Sequence, residues 1–265
     1  MMQKEAPVDL VGDNALAAAV ARQLKVAGIA VQSKASNGVV LVADAAALDD
    51  AAARLTSGAT LVDLTAGDPA RARALAASLA ERGVAFVDAP VHCEHLGRFP
   101  AEAAFLCGGV TAALAAVTPL LERLGAKVVV CGDVGAGHVA RAMVGALALC
   151  NRLVTLEGAG MGFRNGLTVA DMGRVLERCS GSNSGTARVL PAIAETRTTA
   201  DMRLTDATAD MAQCIQLARR IGAPALIATQ VYAQVLSASR TSNVDATLDD
   251  LRKLVEGGSG FSFSQ

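Results

Sequence analysis

The feature that most constrains this chain is a change of pattern near its middle. Up to about residue 130, short runs rich in β-branched residues alternate with alanine-rich amphipathic stretches. Beyond that point helical patterns follow one another with no strand run between them. The runs at 8–11, 29–32, 39–42, 60–64, 85–88, 104–107 and 127–130 predict strands. Stretches 15–27, 46–55, 69–82 and 112–124 predict helices, with apolar residues at three- and four-residue spacing, as Leu16, Val20 and Leu24 in the first. Strands alternating with helices imply a largely parallel, doubly wound sheet covered on both faces. Gly28, Gly58 and Gly83 each follow a helix pattern, where a glycine cap is expected.

The second half begins with one long apolar helix pattern at 137–164, followed by helices at 169–178, 185–194, 204–221, 225–239 and 246–255. The reading is therefore an α/β, Rossmann-like domain over 1–134 and an all-helical domain over 135–265, joined by a long interdomain helix. The glycine- and serine-rich tail at 257–265 is expected to be flexible.

Composition narrows the function. Lys and Arg (24) nearly balance Asp and Glu (25), leaving a net charge of −1, which argues against a nucleic-acid binder. Aromatic residues are 3% of the chain with no Trp, so stacking on bases or sugars is not expected. Hydrophobic residues make up 52%, yet no run reaches the ~18–20 uninterrupted apolar residues of a membrane span. The first twelve residues lack the apolar core of a secretion signal. Six cysteines stand singly and form no CxxC pair, which reads as reduced thiols in a cytoplasmic protein.

The first strand runs into a helix through Gly12-Asp13-Asn14-Ala15-Leu16-Ala17. A dinucleotide-binding turn has G-x-G-x-x-G there, for a tight turn and close approach to the pyrophosphate. Gly12 meets the first requirement, Asn14 stands for the second glycine, and Asp13 brings negative charge to an anion site. Gly12, Asn14 and Ala15 are the candidate phosphate residues. The second strand should end in an acid for NAD or a base for the NADP phosphate. It ends in Gln32, Ser33 and Lys34, so Lys34 is the candidate for a 2′-phosphate, against the commoner reading of a solvated lysine. Only Ala35 to Gly38 separate it from the next strand, too few for a helix and another strand.

Further on, Phe86 to Val91 (FVDAPV), Ala104 to Gly109 (AFLCGG) and Gly132 to Arg141 (GDVGAGHVAR) resemble the β-hydroxyacid dehydrogenase family, to which imine reductases are related. Leu156 to Ala159, Ser180 to Ser184, Ala209 to Met211 and Arg219 to Pro224 follow in the family's order. The resemblance covers nearly the whole chain. It implies a Rossmann domain, a helical domain, an active cleft between them, NAD or NADP as cofactor and a small acidic substrate. It also implies an oligomer, here expected to be a homodimer.

The departures from the family pattern fall on functional positions. The Ser-Gly-Gly turn that holds the substrate carboxylate is His92-Cys93-Glu94 after Val91. The catalytic lysine is Arg141, the asparagine four residues on is Gly145, and the Lys of a later Lys-Asp-Leu is Ala209. Arginine holds its proton, so it clamps a carboxylate or an oxyanion and donates none. The resemblance makes Val91, His92, Cys93, Glu94, Arg141, Gly145 and Ser182 the candidate substrate residues.

The chain has three histidines, His92, His95 and His138, and imidazole is the side chain suited to proton transfer near neutral pH. With Arg141 they are the candidate catalytic residues, against the bland reading of loop residues and a helix start. The His92–His95 run has metal-capable atoms but no usual zinc spacing, so no metal is assigned. Three functions compete. The first is a hydride-transferring oxidoreductase for a small oxo- or hydroxy-acid or an imine, with a weak or absent cofactor grip. The second is a redox-silent lyase, isomerase or decarboxylase. The third is a non-catalytic subunit of a hetero-oligomer.

Overall fold

The computed structural model describes residues 7–257 and residue 262. The chain divides into two compact units, 1–141 and 142–265, and the division falls inside one long helix.

The first unit carries strands β1 (Val8–Val11), β2 (Val39–Val42), β3 (Thr60–Asp63), β4 (Ala85–Asp88), β5 (Val91–His92), β6 (Ala104–Gly109) and β7 (Lys127–Gly132). Strands β1 to β4 lie side by side and parallel; β6 runs antiparallel to β4 and β5, and parallel to β7. Helices α1 (Ala15–Val26), α2 (Leu48–Ala53), α3 (Pro69–Glu81) and α4 (Thr111–Arg123) connect them. The central strands are buried on both faces, as their unbroken Val-Leu-Val sequences require. One core cluster includes Val20, Leu24, Leu41 and Phe105; a second, on Val40, Val42, Leu55 and Leu61, belongs to the other set of alternating side chains. Gly28, Gly58 and Gly83 have φ of 67°, 86° and 70°, the left-handed geometry expected after a helix.

One expected strand is missing. Residues 29–32 form only a single bridge, Val31 to Val8, on the outer side of β1. Val39 pairs with the same Val8 from the inner side. The chain therefore crosses from one side of β1 to the other within eight residues. Gly38 makes the crossing possible, because a Cβ there would lie 2.2 Å from the Pro7 carbonyl oxygen, at a φ of +81°. The crossing is tied down by Asp9, which is 2% exposed. Its Oδ2 accepts from the Ala35 amide (3.2 Å) and from Arg54 Nη2 (2.6 Å), while Arg54 Nε donates to the Ala35 carbonyl (3.3 Å).

The long helix α5 (Ala136–Arg164) continues into the second unit, with α6 (Val169–Glu177), α7 (Ser184–Ala194), α8 (Leu204–Arg220), α9 (Leu226–Thr241) and α10 (Arg252–Gly257). Leu149, Leu156, Leu190, Leu204, Met211, Val235 and Leu251 fill its core. Arg152, 3% exposed, donates Nη1 hydrogens to Thr199 Oγ1 and Asp249 Oδ1, both at 3.0 Å. Among the described residues, α5 is the one helix long and apolar enough to cross a membrane. Its buried leucines and its ion-paired Arg152 give it the character of a core helix. The tail at 257–265 falls outside the described residues except for Gly257 and Ser262.

Candidate functional site

The site-bearing elements meet at the carboxyl ends of β3 and β4, where an open α/β sheet receives ligands. Asp88, the last residue of β4, is fully buried. Its Oδ1 accepts from the Gly135 amide (2.7 Å) and its Oδ2 from the His138 amide (3.1 Å). A carboxylate at this place satisfies first-turn amides of α5 and faces the positive end of the helix dipole. Burial nevertheless raises its pKa, with the Gly135 hydrogen bond working in the opposite direction. Glycines make room for it: a Cβ on Gly108 would lie 2.7 Å from Asp88 Oδ1, and one on Gly137 would lie 2.8 Å from Oδ2. The glycines of AFLCGG and GAGH thus admit a buried carboxylate and a close strand–helix approach.

His138 is 2% exposed on the first turn of α5. Its Nε2 lies 3.4 Å from Oδ2 of Asp63, the last residue of β3 and equally buried. The other oxygen of Asp63 accepts from the Thr65 amide (2.9 Å) and hydroxyl (2.7 Å). His138 Nδ1 is buried without a hydrogen-bond partner. The ring lies against Gly67, where a Cβ would come within 2.7 Å of Cε1 and 2.8 Å of Nε2. Asp63, Thr65, Gly67, Asp68, Arg71 and His138, with Ala45 and Leu48, line a small pocket of about 30 Å³, and Arg71 is paired with Asp49 at 2.8 Å. Asp63 and Gly67 did not stand out in the sequence. Their signal was an acid closing a strand, followed by a Thr and a Gly before the Asp68-Pro69 helix start.

Arg141, 8% exposed, donates from Nε to the Val91 carbonyl (3.0 Å). That bond ties α5 to β5, whose strand leads into the Cys93–His95 turn. In this turn Cys93 and Glu94 are buried, His92 and His95 are half-buried, and Cys93 Sγ donates to the His95 carbonyl (3.2 Å). Among the described residues no three His, Cys, Asp or Glu side chains are grouped to hold a metal. Gly145 and Ser182 belong to the second unit, Gly145 half-buried in α5 and Ser182 exposed between α6 and α7. The cysteines are free, and burial pushes the Cys107 thiol up to about 12.

A nicotinamide dinucleotide lies along the carboxyl edge of such a sheet, its pyrophosphate over the first strand–helix turn. Gly12 suits that turn: its φ is +137°, and a Cβ would meet Asp44 at 3.2 Å and Ala17 at 3.3 Å. Asn14, in place of the next glycine, caps α1. Its Oδ1 accepts from the Ala17 amide (3.0 Å) and its Nδ2 donates to the Ala43 carbonyl (2.8 Å). Ala15 opens α1, and Ala15 and Lys34 are both exposed. The adenosine end does not fit, because the strand that should carry its ribose contact is reduced to the Val31 bridge. The small pocket lies at the ends of β2 and β3.

A largely parallel sheet with a strand–turn–helix start, followed by a helical unit on a shared long helix, defines an α/β protein of the Rossmann type. Residues 8–132 match the NAD-binding domain of 6-phosphogluconate dehydrogenase, and residues 135–262 match the NAD-binding region of NADP-dependent 3-hydroxyisobutyrate dehydrogenase. The chain belongs to the β-hydroxyacid dehydrogenase family, which includes the 3-hydroxyisobutyrate dehydrogenases. The mitochondrial 3-hydroxyisobutyrate dehydrogenase of Mus musculus is 32% identical over 128 residues, 48% of this chain and 38% of that one. The NAD-dependent L-serine dehydrogenase of Pseudomonas aeruginosa is 31% identical over 135 residues, 51% of this chain and 45% of that one. The matching segment thus spans less than half the length of these curated relatives. The fold is also that of Mycobacterium tuberculosis 3-hydroxyisobutyrate dehydrogenase, solved with L-serine. That structure has a TM-score of 0.82 at 16% identity, over 95% of this chain and 99% of that one. The Salmonella typhimurium 3-hydroxyisobutyrate dehydrogenase gives 0.74 at 18% identity, over 94% and 100%.

Proposed function

We propose that the protein is a divergent oxidoreductase of the β-hydroxyacid dehydrogenase type, acting with NAD or NADP on a small oxo- or hydroxy-acid. When bound, the nicotinamide supplies or takes up the hydride. The observation that carries the reading is Arg141, a buried guanidinium at the family's lysine position, bonded to the Val91 carbonyl of the substrate turn. It stays charged and pairs with a carboxylate or alkoxide oxygen, so it holds the substrate and leaves proton transfer to another group.

That proton falls to an imidazole. His138 stands three residues before Arg141 on α5, so both project from neighbouring positions of one helical surface. Asp63 beside Nε2 orients the ring. His92, Cys93 and Glu94 in the turn after Val91 shape the substrate side, with His95, Gly145 and Ser182 as further contacts. A second copy of this chain is the proposed partner. Met143, Leu147, Val154 and Met161 are 53–69% exposed along one side of α5, continuing Val139.

The test is turnover of 3-hydroxyisobutyrate, L-serine and 2-(hydroxymethyl)glutarate, the substrates in the relatives' names, with each cofactor. Arg141→Gln is expected to raise KM about tenfold to a hundredfold, the loss of one charge-assisted contact. His138→Gln is expected to lower kcat by ~10²–10⁴. Absence of turnover across hydroxy- and oxo-acids with both cofactors would overturn the reading. The missing adenosine wall favours one alternative in that event: a redox-silent lyase, isomerase or decarboxylase using the same arginine and imidazoles.

A further inference from the structure

We propose that Asn37 is a site of covalent self-modification, at which the chain deamidates through a succinimide formed with Gly38. The proposal does not depend on the oxidoreductase reading above. The sequence holds six asparagines, and two of them, Asn37 and Asn165, precede a glycine. Glycine matters because the next residue's amide nitrogen must reach the asparagine Cγ, and a Cβ on that residue obstructs the approach. The sequence ranks the two sites equally. The structure separates them.

Asn165 is held. Its Nδ2 donates to the Met161 carbonyl (2.8 Å), and the Gly166 amide donates to the Phe163 carbonyl (3.0 Å). Both reacting groups must break a hydrogen bond before they can meet. Asn37 is exposed in the crossing from Val31 to Val39. Among the described residues, none hydrogen-bonds its side chain and none accepts from the Gly38 amide. The ties of the crossing fall on either side of this pair. Before it, the Ala35 amide donates to Asp9 and the Ser36 carbonyl accepts from the Thr56 amide (2.8 Å) and hydroxyl (2.9 Å). After it, the Val39 amide donates to the Pro7 carbonyl (2.9 Å). The attacking nitrogen and the amide it attacks are thus the unbonded groups of an otherwise fastened segment.

The reaction needs only water. The Gly38 nitrogen bonds to Asn37 Cγ and gives its proton to solvent. The Cγ–Nδ2 bond breaks, and Nδ2 takes up a proton and leaves as ammonia. Water then opens the ring. Addition at Cγ breaks the newly formed bond and leaves aspartate. Addition at the main-chain carbonyl carbon breaks the original peptide bond and leaves isoaspartate, with the chain running through Cγ. A water enters, an ammonia departs, and nothing is oxidised or reduced. Isoaspartate lengthens the main chain by a methylene beside Gly38, where there is no slack. A Cβ on Gly38 would lie 2.2 Å from the Pro7 carbonyl oxygen, and the Gly38 carbonyl accepts from the Thr60 amide (2.8 Å). Isoaspartate therefore loosens the crossing, whereas aspartate keeps the original backbone and leaves it in place.

The experiment is ageing of the purified full chain in mildly alkaline buffer, folded and in urea, followed by tryptic mapping with mass spectrometry. Cleavage after Lys34 and Arg54 isolates Asn37, and cleavage after Arg164 and Arg174 isolates Asn165, each as the sole asparagine of its peptide. In the folded chain Asn37 is expected to deamidate about tenfold or more faster than Asn165, the worth of the two hydrogen bonds that protect the latter. In urea the two rates should converge, because both pairs are Asn-Gly. Asn37→Gln should abolish the change in its peptide. Equal rates in the folded chain, or a faster Asn165, overturn the proposal. Hydrogen exchange at residues 33–38 should rise in the aged chain and stay at the wild-type level in Asn37→Asp. Equal exchange in the two would overturn the loosening of the crossing by isoaspartate.

Discussion

At the scale of single residues, one buried imidazole, that of His138, sets what its neighbours can be. Gly67 is glycine because the His138 ring occupies the space a Cβ would need. Gly67→Ala is therefore expected to cost about 1–3 kcal/mol of stability, the usual range for overpacking. In a His138→Ala background the same change should cost much less. A double-mutant cycle by urea denaturation measures the difference, and equal costs in both backgrounds would refute the contact. Asp88 gives a pH-dependent prediction. Burial raises its pKa, so the native state takes up this proton before the unfolded chain does. Stability of the wild type relative to Asp88→Asn should therefore rise as pH falls from neutral through the raised value toward the ordinary ~4. Above the raised value it should stay flat. Denaturant midpoints of both proteins across this range check the sign. These residues were only partly legible in the sequence. His138 stood out as one of three histidines, and Arg141 because it stands where the family resemblance has a lysine. Asp63 and Gly67 did not, because only folding brings the end of β3 onto the start of α5.

At the scale of elements, the decisive object is the short crossing between α1 and β2. The sequence showed that residues 35–38 leave no room for a helix and a strand, and the structure has neither. It also led us to expect a strand at 29–32, of which one bridge exists. The β-rich run Ile29-Ala30-Val31-Gln32 has the composition of a strand but no outer neighbour to pair with, and Val31 is 48% exposed. Strand propensity is realised only on a surface that can pair and bury it. The crossing depends on Asp9, a buried acid the sequence did not flag, since an acid inside a Val-Asp-Leu-Val strand declares no partner. Its partner Arg54 is 45 residues away. Asp9→Ala removes an ion pair and leaves the Ala35 amide without its acceptor, so a loss of about 2–4 kcal/mol is expected. Hydrogen exchange should rise first at residues 33–38, and unchanged protection there would show that the crossing does not need the tie.

At the scale of the whole molecule, the long helix α5 serves both compact units. Its first two turns carry His138 and Arg141, and its later turns present an apolar stripe. A second copy of the chain covering that stripe should give a dimer in sedimentation at micromolar concentration. Met143→Glu with Leu147→Glu should give a folded monomer, and a monomeric wild type would exclude this use of the stripe. The sequence by itself determined the two-part architecture, nearly every helix and the family, because hydrophobic periodicity and glycine-bearing turns are local properties written residue by residue. Tertiary structure alone decided that Asp63 faces His138, that Asp88 anchors α5 and that Asp9 closes the sheet edge. Each of these pairs joins residues 45–75 positions apart, and a buried charge chooses its partner only once folding has removed water as the alternative.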